Sequence, residues 1–542
     1  MSLNVRIYDT TLRDGTQGEA VSLSVEDKLA IARLLGYLGV DYIEGGWPGS
    51  NVKDAEFFRR AKSLQFGRAR LAAFGSTCHP RNSAEADPNL LALLDAETPV
   101  VTLFGKSWDL HVKKALGVTL EQNLKLIEAS VAFLKRNGRE VVYDAEHFFD
   151  GFCADPEYAL RTLKAAERGG ADWIVLCDTN GGMLTSRLRE VVTIVKEALT
   201  APLGIHAHND SDLAVANSLA AVECGATQVQ GTINGYGERC GNANLCSLIP
   251  VLELKLDRRT IGREALASLT SVSRCVSEIA NLPHRSDLPF VGASAFAHKG
   301  GVHVSAVMRD PATYEHVRPE VTGNRRRVLV SDLSGKSNIF YKAAEMGLDV
   351  SGAEEGVKQV VDKIKQLEHE GFQFEAADGS LKLMFEEALG GYRQAFTLDH
   401  YTVMTKRGSE GTVTSHADVS VSVEGQGLTG SAECSGPVHA LDLALRRALG
   451  SVFSGLSEVR LVDYKVRVLE TDRATAARVR VLVESQDGQD SWTTVGVSED
   501  ILDASWSALA DAVNYKLLKD AQNVAAALAR KPESGSLAAT IG

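Results

Sequence analysis

The chain has 542 residues, of which 44% are hydrophobic and 24% charged, and a formal net charge of −12. This suits a soluble protein of two or more domains: no apolar run reaches the roughly 18 residues of a membrane span, and an acidic balance spread along the chain disfavours nucleic acid and anionic membrane as partners. The start, MSLNVRIYDTT, carries no basic segment followed by an apolar core, so the expected compartment is the cytoplasm, and the eight cysteines form no CxxC and read as reduced, buried thiols.

From the N-terminus, strand-like and helix-like segments alternate about every 30 residues, the rhythm of βα units. Eight strands are predicted at 5–8, 42–44, 70–74, 100–104, 141–144, 173–177, 203–208 and 227–233. Ser24 and Asp27 have capping-box spacing ahead of a helix over 25–38, and Gly39 follows as its stop. Eight such units in about 250 residues favour a TIM barrel over an open doubly wound sheet, and the turn after the first strand, TTLRDGTQG, contains no GxGxxG. The barrel is assigned 1–255. Residues 256–390 read as a helical subdomain contributing to the active site, with helices over 258–280 and 353–371 and Gly- and His-bearing loops. Residues 391–525 read as an α+β domain of two βββα units. Its helices, 437–449 and 501–518, align with an offset of 64, Ala440 on Ala504 and Ala444 on Ala508. The tail, 526–542, is polar and small and is expected to be disordered.

A TIM barrel places its chemistry at the C-terminal ends of its strands. Arg13 and Asp14 follow strand one, Glu44 ends strand two, Glu146 follows strand five, Asp178 and Thr179 follow strand six, and Glu238, Arg239 and Asn242 follow strand eight. In HAHND, 206–210, His206 and His208 stand two apart on a strand and present both imidazoles on one face. With Asp14 as carboxylate and Asn242 as a neutral oxygen, the set suits Mn²⁺, Mg²⁺ or Zn²⁺ without selecting among them. Glu44 and Glu238 read equally as functional groups and as rim ion-pair partners of Arg13 or Arg239. His111, His147 and Asp178 read as pocket wall or hydrogen-bonding support.

DTTLRDG (9–15), HAHND and AVANSLAAVECGATQVQGTINGYGERCGN (214–242) resemble the signatures of the DRE-TIM metallolyase superfamily, specifically the 2-isopropylmalate, homocitrate and citramalate synthases. GGWPGSN (45–51), VTLFGKSWDLHV (101–112), VLVSDLSGKSNI (328–339) and TVGVSEDILDASWSAL (494–509) are most similar to the long citramalate synthases. The resemblance implies Asp14, His206 and His208 as metal ligands with Asn242 beside them, Arg13 at the substrate's keto oxygen or enolate, and Glu146 and Thr179 lining the 2-oxo acid pocket. It implies His303 and Tyr314 as catalytic residues completing a site in a partner subunit; the AFAHKGG setting of His298 reads as structural or supporting. Position 144 is Asp where some citramalate synthases carry an aromatic.

The implied activity is condensation of acetyl-CoA with pyruvate and hydrolysis of the thioester to (R)-citramalate, in isoleucine biosynthesis, by a homodimer whose C-terminal domain binds isoleucine as inhibitor. The residues suit that chemistry: a metal to activate the ketone, His303 or Glu146 as base for the thioester's methyl protons, and Arg13 for developing charge. Three alternatives remain: a 2-oxoisovalerate or 2-oxoglutarate acceptor, a metal-dependent aldolase or acyl-CoA lyase, and a non-catalytic amino-acid sensor.

Overall fold

The computed structural model describes residues 3–350, 352–469 and 476–529. They fall into two compact units, Met1–Phe296 with His316–Arg326, and Ala297–Glu315 with Arg327–Gly542.

In the first unit eight parallel strands close a barrel in sequence order: β1 (Arg6–Asp9), β2 (Tyr42–Gly46), β3 (Arg70–Ser76), β4 (Val100–Lys106), β5 (Glu140–Glu146), β6 (Trp173–Asp178), β7 (Leu203–Ala207) and β8 (Gln228–Gly231). All eight predicted strands exist, with ends shifted by a few residues. His208 lies just beyond β7, bridged to Asn242, and 233–235 form a short 3₁₀ turn instead of prolonging β8. The helix Val25–Leu38 has the predicted Ser24/Asp27 capping box and ends at Gly39, whose φ of +84° is left-handed. Its apolar face, with Leu29, Ile31 and Leu35, is buried in the large core between barrel and outer helices.

Inside the barrel the two-residue period of the strands sets the layers. Tyr8, Tyr42, Ala72, Val100, Val142 and Val175 form one apolar cluster. Moving two residues along β4 and β5 from Val100 and Val142 gives Thr102 and Asp144, then Phe104 and Glu146 two further on: the inward face turns polar toward the C-terminal mouth. The helix predicted over 258–280 begins only at Arg263, after Gly262 at φ +95°, and is divided into Arg263–Leu266 and Leu269–Ile279.

In the second unit, helices Lys336–Glu345, Glu354–His369 and Asp378–Ala388 bury Ile339, Val357, Val360, Ile364 and Leu381 in one cluster. The duplicated βββα pattern follows. β11 (Thr397–Arg407), β12 (Val413–Val423) and β13 (Gln426–Cys434) form an antiparallel sheet followed by helix Pro437–Leu449; β14 (Arg460–Val468), β15 (Val479–Gln486) and β16 (Ser491–Ser498) precede helix Ile501–Ala529. Two-residue strands β9 (Ala297–His298) and β10 (Arg327–Val328) in the same unit pair in parallel. The repeats share a core in which Ala440, Ala444, Ala504 and Ala508 are buried. Each sheet has a glycine where its helix lies closest: a Cβ at Gly430 would sit 2.2 Å from the Ala444 carbonyl oxygen, and one at Gly496 2.0 Å from that of Ala504. The second helix outruns its predicted end, so residues 526–529, assigned to the tail, are helical. The remainder of that expected disordered segment lies outside the described residues.

Candidate active site

The DTTLRDG loop is tied down from both sides. Asp9 accepts from the backbone N–H and the hydroxyl of Thr11, both at 2.9 Å, and the Thr11 oxygen accepts from Ile233 N–H at 2.9 Å, joining the turns after β1 and β8. Burial pushes the Asp9 carboxyl up to about 7 against the pull of those bonds.

This anchoring places Arg13 and Asp14 in a cavity of about 250 Å³ at the barrel mouth, also lined by Trp47, Phe74, Phe104, Asp144, Glu146, Thr179, His206 and His208. Arg13 is fixed on three sides: Nε donates to Glu44 Oε1 at 2.6 Å, its guanidinium carbon lies 3.7 Å from the Phe74 ring centre, and NH1 is 3.5 Å from Asp14 Oδ1. Glu44 is fully buried and also accepts from Tyr8 O–H at 2.6 Å, so it is an interior partner of Arg13 rather than a rim residue. Glu238 does lie on the rim, more than half exposed and 3.9 Å from Arg239, which instead forks onto Asp210 at 2.7 and 2.9 Å.

Asp14, His206 and His208, all buried, bring ligand atoms within 4.8 Å of one another. Asp14 Oδ2 is 3.2 Å from His206 Nε2 yet has no hydrogen-bond partner; His208 Nδ1 and Asn242 Oδ1 are likewise buried without one. A buried carboxylate oxygen, a ring nitrogen and an amide oxygen left without hydrogen-bond partners are what a bound cation would satisfy. Burial alone would raise the Asp14 carboxyl, but Arg13 and the two histidines overcome it and hold the group well below the usual carboxylate range. Burial and the neighbouring His206 push His208 down to about 4, so its imidazole is neutral at pH 7. An ionised carboxylate and a neutral imidazole are the protonation states that a metal requires.

Glu146 forms an ion pair with Lys106, a residue not singled out from sequence although it stands in VTLFGKSWDLHV. Thr179 Oγ1 accepts from His147 N–H at 2.9 Å. His147, at φ +54°, stacks edge-on against His111, which lies flat on Trp108; this is a ring cluster formed by the loops after β4 and β5. Asp178 accepts from Gly182 and Met183 N–H and serves its loop. The aromatic wall of Trp47, Phe74 and Phe104, with centroids 5.3–6.0 Å apart, was also missed; aromatic residues near strand ends carry no separate signal in a single sequence. His303 and Tyr314 belong to the second unit, where their rings stack at 4.2 Å, and there His298 Nε2 is 3.1 Å from Glu315 Oε1. All eight cysteines are free, but Cys153 and Cys240 are exposed, contrary to the buried expectation.

Comparison with known proteins places this geometry. The HMGL-like family model matches residues 4–276, the homocitrate synthase post-HMGL domain-like model 290–371, and the LeuA allosteric (dimerisation) domain 375–517. The chain is 53% identical to the (R)-citramalate synthase of Aquifex aeolicus, across 96% of this chain and 99% of that protein, and 54% identical to that of Geobacter sulfurreducens, across 96% and 98%. The chain belongs to the HMGL-like family, in its citramalate synthase branch. The chain is 34% identical to the probable 2-isopropylmalate synthase of Methanopyrus kandleri, across 94% of this chain and 98% of that protein. For a family member of this branch, the barrel-mouth cavity is the candidate active site. Among the described residues, no helix is long and apolar enough to cross a membrane.

Proposed function

We propose that the chain is a cytoplasmic (R)-citramalate synthase, joining acetyl-CoA, pyruvate and water to give (R)-citramalate and CoA. The observation that carries this reading is the Asp14, His206 and His208 cluster opening, beside Arg13, into a small aromatic-walled cavity. The cavity is small, about 250 Å³, and pyruvate is the smallest of the three candidate acceptors.

Asp14, His206 and His208, with Asn242 beside them, would hold a divalent ion, Mn²⁺, Mg²⁺ or Zn²⁺, which when bound supplies Lewis-acid polarisation of a 2-oxo acid's ketone. Arg13, with Nε committed to Glu44, offers its terminal nitrogens to negative charge developing on oxygen. Thr179 and Glu146 line the acceptor's side of the cavity, with Lys106 holding the Glu146 carboxylate in place. A proton leaves the acetyl methyl carbon to a base, for which His303, stacked on Tyr314, and Glu146 are the two groups available. The new carbanion-like carbon bonds to the keto carbon, the keto oxygen takes up a proton, and water then cleaves the thioester to release CoA.

His303 and Tyr314 are assigned to the active site of a partner subunit in a homodimer, and the duplicated C-terminal domain to feedback by isoleucine. The test is to mix Asp14→Asn and His303→Ala proteins, each inactive alone, and assay CoA release. Recovered activity supports a shared site, and persistent inactivity of the mixture counts against it.

A further inference from the structure

One buried hydrogen-bond chain in the cavity floor has no part in the chemistry described above. Gln230 Oε1 lies 2.9 Å from His206 Nδ1, and Gln230 Nε2 donates to Asp144 Oδ1 at 3.0 Å. All three side chains are at most 5% exposed, and Gln230 is completely buried, so water cannot substitute for either bond.

An amide has one accepting and one donating end. In the structure the NH₂ end faces Asp144 Oδ1 and the carbonyl end faces His206. The carbonyl in turn requires a proton on Nδ1. That leaves the Nε2 lone pair directed at Asp14, 3.2 Å away. We infer that Asp144 and Gln230 are positioning residues which fix the His206 tautomer and so preset Nε2 as a metal ligand. The inference rests on reading Asp14, His206 and His208 as the metal site. Such outer contacts contribute by holding a ligand in the right orientation and tautomer, and their loss typically weakens binding about 10–100-fold.

The test measures Mn²⁺ affinity directly, by calorimetry, in the full-length wild type and in Gln230→Met and Gln230→Glu. Methionine fills the space without accepting from Nδ1–H, whereas glutamate keeps an acceptor there. The expected result is a loss of about 10–100-fold for Gln230→Met and a change below about threefold for Gln230→Glu. Wild-type affinity in Gln230→Met, or equal losses in both variants, would overturn the inference, the second showing that Gln230 only fills space. Should Gln230→Met fail to fold, ¹⁵N-histidine NMR of metal-free wild type, at a pH high enough that His206 is neutral, decides: His206 predominantly protonated on Nδ1 is expected, and predominantly on Nε2 contradicts. Failure of the wild type to bind Mn²⁺ would contradict the metal reading instead, and the NMR measurement would still test the tautomer.

Discussion

Arg13 and Glu44 form an ion pair in the interior of the barrel mouth, Nε to Oε1 at 2.6 Å, with the guanidinium plane resting on Phe74. Adjacent in sequence to Asp14 and 3.5 Å from its Oδ1, Arg13 is thus held in place by partners on two other strands. The arrangement supplies a fixed cation whose orientation requires no reorganisation when charge develops beside it.

Arg13→Lys keeps the charge but loses the Nε donor and the planar face that stacks on Phe74. Activity is expected to fall about 10²–10³-fold, in kcat more than in KM, since the lost interaction is made chiefly in the transition state. Steady-state kinetics read this split. A change confined to KM would mean that Arg13 only binds the ground state.

Phe104 stacks on Phe74 without touching Arg13 in the way Phe74 does, so it can be trimmed with the cation left in place. Phe104→Ala is expected to improve kcat/KM for 2-oxobutanoate or 2-oxoisovalerate relative to pyruvate by about tenfold, the scale on which pockets sense a methylene or two. Competition between acceptors, followed by product analysis, measures the ratio directly. An unchanged ratio would show that this wall does not set acceptor size.

In the second unit, Asp487 accepts from Gln489 and Asp490 N–H, both at 2.9 Å, and from Lys516 and Lys519 at 3.0–3.2 Å. Burial pushes its carboxyl up, but those donors hold it well below the usual carboxylate range. A depressed folded-state pKa stabilises above the unfolded value, near 4, and that stabilisation is lost as pH falls toward the folded value. Asp487→Ala is expected to destabilise the second unit by about 2–3 kcal/mol at pH 7, with the deficit shrinking below about pH 4. Denaturant melts at several pH values check both the size and the sign.

Much of this was legible in the sequence because period and position carry information there. The βα rhythm located all eight strands, and the rule that barrel chemistry follows strand ends brought Arg13, Asp14, Glu146, Thr179, His206 and His208 to one cavity. What stayed hidden depends on side-chain packing. Glu44 could be told from a surface residue only once Tyr8 and Arg13 were seen to bury it. Gln230 and Lys106 lie within the family-like motifs, but glutamine and lysine are unremarkable until their partners, His206 and Glu146, are found beside them on the neighbouring strands. The break at Gly262 was missed because apolar periodicity resumes on either side of it.

The central claim is a metal-dependent condensation at the Asp14, His206 and His208 site with a small acceptor. Release of CoA from acetyl-CoA by chelator-treated protein, with and without added Mn²⁺, tests it most directly when pyruvate, 2-oxoisovalerate and 2-oxoglutarate are offered in turn. The account predicts turnover that returns with the metal, favours pyruvate, and is abolished in Asp14→Asn. A clear preference for either larger acceptor, or turnover indifferent to metal and to Asp14, would contradict it.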